Sequence, residues 1–102
     1  MRTINDLSKL NGRVYVYLAN AEIGNRFLQQ AEAEGFTYHD GTKPTDRGWS
    51  TIMAVNREKT INFVGTNGFI AFGSGAKAVG SELMIRIDGA KYLSGAGNYL
   101  YN

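Results

Sequence analysis

The sequence predicts an α+β domain: one main helix packed on a mostly antiparallel sheet of four to five strands, in the order β-α-β-β-β-β. Three observations predict it. Residues 13–18 are β-branched and aromatic, the composition of a strand. The next stretch repeats apolar residues every four positions, the period of a helix. From residue 51 onward, short apolar runs are separated by turn residues, as in a meander. A chain of 102 residues can bury one core but not two, so residues 1–102 read as a single domain.

The opening, Asp6 to Gly12, is short and polar. In the strand Arg13 to Leu18, Val14, Val16 and Leu18 share one face, with Tyr15 and Tyr17 on the other. Asn20 is an N-cap residue and Glu22 suits the positive end of a helix. That helix runs from Ala21 to Glu34 and stops at Gly35. Ile23, Phe27 and Ala31 form its buried stripe, widened by Leu28. Gly24 costs about 1 kcal/mol of helix propensity, and marks either a close approach to the sheet or a tolerated surface position.

Phe36-Thr37-Tyr38 reads as a short edge strand, and His39 to Ser50 as a long polar loop. Strands at Thr51 to Val55 and Thr60 to Val64 flank the turn Asn56-Arg57-Glu58-Lys59. Asn67-Gly68 signals a tight turn into a strand at Phe69 to Phe72. A flexible connection, Gly73 to Gly80, leads to the last strand at Leu83 to Ile87. Asp88 caps a helical turn through Lys91, Tyr92 and Leu93, and Gly95 to Asn102 is the tail.

Composition removes whole classes of function. With no cysteine there is no disulfide framework and no thiolate metal site, and His39 alone cannot build a histidine cluster. No run approaches the ~20 apolar residues of a membrane span, and the first residues lack a secretory signal's apolar segment, so a cytoplasmic protein is expected. The formal charge of +2 suits an anionic partner and argues against an acidic mimic of DNA, while falling short of a dedicated DNA binder.

Gly73-Ser74-Gly75-Ala76-Lys77-Ala78 matches the dinucleotide pattern G-x-G-x-x-A, but a glycine and a new strand replace the long helix that pattern requires. What remains is a run of amides with a lysine nearby, the makings of an anion nest or of an ordinary connection. His39 and Asp40 lack the nucleophile and orienting group of a catalytic dyad. Glu32, Glu34 and Glu58 read as solvated carboxylates. No catalytic constellation, metal site or cofactor is therefore expected.

The loop from His39 to Ser50 is the main candidate site, because twelve residues without periodicity are unusual in so small a domain. Lys43 and Arg47 supply charge, Thr45 a hydroxyl and Trp49 a flat ring, the groups that hold a nucleotide. Asn67, Ser74 and Lys77 are expected to complete it. The alternative for Trp49 is a core position at the start of its strand.

Apolar residues on both strand faces form a second clue. One set is Val14, Val16, Leu18, Ile52, Leu83, Ile85 and Ile87, and the other Tyr15, Tyr17, Met53, Val55 and Met84. One helix, about 10 Å across, covers less than half of five strands at about 4.8 Å spacing. The tail and a second copy of the chain are expected over the other face, hence a homo-oligomer.

Val14-Tyr15-Val16-Tyr17-Leu18-Ala19-Asn20-Ala21-Glu22-Ile23-Gly24, Ala33 to Thr37, Asp40 to Thr45, and Ile52 to Asn56 leading to Thr60 to Gly65 carry a resemblance. Over most of its length the chain resembles small proteins carried by phages and mobile elements of gut-type Gram-positive bacteria. Proteins of that setting include anti-defence factors: anti-CRISPR proteins, and sponges that sequester the cyclic nucleotide signals of Thoeris or CBASS immunity. By setting, the resemblance implies a non-catalytic binding protein for a small anionic nucleotide. The alternatives are an inhibitor docking on a bacterial immune effector protein, or a weak nucleic-acid binder.

Overall fold

The computed structural model describes residues 2–79 and 81–101. Gly80 and Asn102, which belong to the expected connection and tail, lie outside them. The elements are α1 (Ile4–Ser8), β1 (Arg13–Tyr17), α2 (Ala21–Ala33), α3 (Pro44–Arg47), β2 (Ile52–Val55), β3 (Ile61–Phe63), α4 (Thr66–Ser74), β4 (Ala78–Val79), β5 (Glu82–Asp88) and α5 (Gly89–Ser94). The α+β class holds. The sheet is mixed, in the order β3-β2-β1-β5-β4, with β1 and β5 parallel and every other pair antiparallel.

α2 forms where its pattern places it. The Asn20 side chain accepts from the Ile23 N–H, and Phe27, Leu28 and Ala31 are buried against Val14, Val16, Leu18, Met53, Val55 and Ile87. Asp88 likewise caps α5, accepting from the Lys91 N–H. The polar opening conceals α1, whose Ile4 and Leu7 are buried in the same core. Glu34 explains why so short a helix forms there: its carboxylate accepts the Ile4 N–H at 2.9 Å and the Asn5 N–H at 2.8 Å. Those donors have no partner inside the helix, and a carboxylate at that end also favours its dipole. The solvated reading of Glu34 is thus corrected.

A second correction concerns residues 66–74, a helix where a tight turn and a strand are expected. Ala71 and Phe72 lie toward the sheet, as does Gly68, where an added Cβ would stand 2.5 Å from Val64 Cγ1 and 3.2 Å from the Tyr15 hydroxyl. Gly75 ends the helix at φ 74°, in the left-handed conformation suited to glycine. Asn67-Gly68 therefore opens a helix instead of closing a hairpin.

With α4 the second face is covered from within the chain. Phe72 and Tyr101 stack around Tyr17, at centroid distances of 6.4 Å and 5.0 Å, over Tyr15, Ile52, Ala54 and Met84. The Arg86 guanidinium fastens the helix end, donating to the Phe72 carbonyl at 3.0 Å. The expected facing is also corrected. Antiparallel register sets Val14 opposite Val55 and Val16 opposite Met53, so Met53 and Val55 join the α2 side and Ile52 joins Tyr15 and Tyr17. Leu83 packs on neither core and is 62% exposed.

The expected edge strand at Phe36 to Tyr38 is reduced to one parallel bridge, Thr37 to Thr60. No helix among the described residues is long and apolar enough to cross a membrane.

Candidate ligand-binding cleft

The loop singled out by the sequence is ordered by its own polar groups. Arg47 donates to the Asp40 carboxylate and to Thr42 Oγ1, and its guanidinium lies 4.5 Å from the centre of the Tyr38 ring. The Tyr38 hydroxyl donates to the Gly48 carbonyl. Thr45 gives both its N–H (3.1 Å) and its hydroxyl (2.7 Å) to Glu32, so this carboxylate closes the N-terminal end of α3. Those hydrogen bonds to Thr45 hold the Glu32 carboxyl below its ordinary range, and correct its reading as merely solvated. Trp49 lies across Gly24 and is half-buried against the α2-side core. Lys43 is exposed ahead of α3 and makes no side-chain cap.

Asp40 gives this loop a pH signature. Bonds from the Thr42 side chain and N–H, then from Arg47, hold its carboxyl at about 2. A carboxyl that is harder to protonate folded than unfolded stabilises the fold above its unfolded value of ~4, and the contribution fades as pH falls toward the folded value. We expect the Asp40 carboxyl resonance to titrate near pH 2 by NMR. An ordinary midpoint near ~4 would show that the Thr42 and Arg47 contacts do not persist in solution.

Asn67, Ser74 and Lys77 are not part of that loop's surroundings. Asn67 and Ser74 belong to α4, which packs on the opposite face of the sheet, and Lys77 follows it. All three are exposed, and the Ser74 hydroxyl donates to the Ala71 carbonyl at 3.2 Å. The structure brings Lys43, Thr45, Arg47 and Trp49 into one neighbourhood and leaves the other three on the far side. Gly73-Ser74-Gly75 ends a helix, so it forms no phosphate-facing turn at a helix start.

The concave space lies elsewhere. A cleft of about 590 Å3 opens at the end of the sheet where β1 begins and β2 ends, beside the start of α4. Val14 and Val55 from the α2 side of the sheet and Tyr15, Ala54 and Val64 from the α4 side line it, together with Arg13, His39, Asn56, Arg57, Glu58, Asn62, Gly65 and Glu82. Arg13 Nε stands 3.2 Å from the Glu82 carboxylate, and His39 Nε2 stands 4.0 Å from that of Glu58. Arg57 is exposed and makes no ion pair among the described residues. The Asn56 amide donates to Thr60 Oγ1 at 3.1 Å and to Asn62 Oδ1 at 2.7 Å.

Sequence reasoning passed over these residues because Asn56 to Lys59 reads as a plain turn. One signal was present. Asn62 interrupts the apolar run Ile61-Asn62-Phe63-Val64, and the register sets it opposite the buried Ala54. A polar residue at that position needs hydrogen-bond partners, and Asn56 supplies one. Among the described residues, no group of three or more His, Asp and Glu side chains is placed to hold a metal ion. Comparison with family models, curated proteins and solved structures finds no match to this chain.

Proposed function

We propose that this chain is a non-catalytic binding protein that sequesters a small anionic nucleotide, and that the ligand occupies the cleft at the β1–β2–β3 end of the sheet. The observation that carries the proposal is the cleft itself: about 590 Å3, lined by Arg13, by Arg57, which makes no ion pair among the described residues, and by the hydrogen-bonded Asn56 and Asn62 amides. Small-molecule sites commonly enclose ~300–1,000 Å3 and place a few polar groups among apolar walls. Guanidinium groups suit a phosphate, and paired amides suit a base edge. Binding is favoured over chemistry because the lining holds no hydroxyl-bearing serine or threonine, thiol or lysine beside His39. The resemblance to phage and mobile-element proteins makes a bacterial defence signal the ligand class, with the host cytoplasm as the setting.

Thermal melting with cyclic and linear nucleotides tests this. Ligand at about 100 times its Kd adds about 2.7 kcal/mol to the folded state. Arg57→Ala should weaken binding about tenfold or more, whereas Lys43→Ala, outside the cleft lining, should leave it unchanged. No stabilisation by any nucleotide would sink the proposal. Self-association, with the sheet face already covered, would use the exposed Phe69 and Ile70 of α4, and a pure monomer by light scattering at tens of micromolar would remove that part.

The second reading, an inhibitor of an immune effector, draws on α4, where Phe69 is 46% and Ile70 63% exposed. Such a protein ignores nucleotides in the melting experiment and comigrates with its target.

A further inference from the structure

Resting on the cleft reading above, we infer that the ligand's base carries an exocyclic amino group, as adenine and cytosine do, and that this group donates to Oδ1 of Asn56. The argument follows the direction of a hydrogen-bond relay. An ionised Glu58 carboxylate only accepts, so the Thr60 hydroxyl, 3.1 Å from Oε1, must donate to it. Thr60 Oγ1 has then spent its proton and accepts from Asn56 Nδ2 at 3.1 Å. The second Asn56 amide hydrogen goes to Asn62 Oδ1 at 2.7 Å.

Asn62 enforces the same direction from the other side. Its own Nδ2 donates to the Phe63 carbonyl at 3.0 Å, which turns its Oδ1 toward Asn56. Both amide hydrogens of Asn56 are therefore used: flipping Asn56 would set its oxygen against the acceptors Thr60 Oγ1 and Asn62 Oδ1, and flipping Asn62 would set its Nδ2 against Asn56 Nδ2 and its oxygen against the Phe63 carbonyl. Oδ1 is left over. It has no partner among the described residues, and it is not a buried unpartnered atom, so solvent or a ligand in the cleft must satisfy it.

The cleft thus offers a fixed acceptor at Asn56 and a free cation at the adjacent Arg57. A base amino group meets that acceptor, whereas a base carbonyl in the same place sets oxygen against oxygen. One hydrogen bond gained against one acceptor left facing another corresponds to roughly a tenfold difference in affinity.

The test is isothermal titration of the unaltered protein with adenosine and inosine monophosphates, which differ at the amino group, and with the cytidine and uridine pair. The expected result is about tenfold tighter binding of the amino-bearing member of each pair, with Asn56→Ala bringing both ratios close to one. Equal affinities within both pairs, with binding intact, would overturn this inference and leave the cleft reading standing. Failure of all four to bind would overturn this inference, and the cleft reading would fall with it if cyclic nucleotides also left the melting temperature unchanged. The comparison within the unaltered protein decides the matter even if Asn56→Ala folds poorly.

Discussion

Phe27→Ala is expected to lower the unfolding free energy by about 3–5 kcal/mol, the range for removing a large aromatic from a packed core. Phe27 is 1% exposed at the centre of the α2 stripe, beside Leu28 at 1% and one turn before Ala31 at 0%. The opposing surface comprises Val14, Val16, Met53 and Val55 from β1 and β2, so the ring joins the helix to the middle of the sheet. Truncation leaves a cavity that the sheet, held by its own ladder, cannot close. Phe27→Leu should cost less, about 1–2 kcal/mol, because most of the volume is kept. Urea denaturation of both variants checks this. A loss below about 1 kcal/mol for the alanine variant would mean that α2 buries another face.

The second large effect is a pair, Gly24 and Trp49. A Cβ added at Gly24 would lie 2.4 Å from Trp49 Cδ2 and 2.6 Å from Cγ, well inside contact distance. Gly24→Ala therefore displaces the indole and should cost about 1–3 kcal/mol, although alanine is the better helix former by about 1 kcal/mol. Trp49→Ala alone should cost about 3 kcal/mol, at the low end for tryptophan because the ring is only half-buried. In the Trp49→Ala background the clash is gone, so Gly24→Ala should reverse sign and stabilise by up to about 1 kcal/mol. Thermal or urea unfolding of the four proteins measures the cycle. Additive effects would show that the indole does not rest on Gly24. Nucleotide binding should survive Trp49→Ala, since Trp49 rests on Gly24 and does not line the cleft.

How much was legible depended on whether a residue's role is local. The Asn20 cap, the stop at Gly35 and the Ile23–Phe27–Ala31 stripe all act within a few residues of themselves, and α2 forms where they place it. The strands at Arg13 to Tyr17 and Glu82 to Asp88 show in the same way. Residues 66–74 were not legible because the apolar residues Phe69, Ile70, Ala71 and Phe72 are consecutive and flanked by Gly68 and Gly73, so no helical period shows. Gly68 reads locally as a turn residue, yet its position is set by Val64 and Tyr15. Glu32 and Glu34 look like an exposed helix end until α3 and α1 arrive to be capped.

The candidate site divides in the same manner. Lys43, Thr45, Arg47 and Trp49 are close in sequence and remain together in space, but Thr45 is engaged by Glu32 and Arg47 by Asp40 and Thr42. Asn67, Ser74 and Lys77 were grouped with them by composition, and the sheet comes between. The cleft assembles Arg13, His39, Asn56, Asn62 and Glu82, which are far apart along the chain. By itself the sequence determined the α+β class, the main helix with its caps and buried stripe, and the absence of cysteine chemistry. Those follow from periodicity, capping and composition, which act over a few residues or over none. Only the tertiary structure decided the parallel pairing of β1 with β5, the helical state of residues 66–74 and the place of the cleft, because each depends on contacts between segments tens of residues apart.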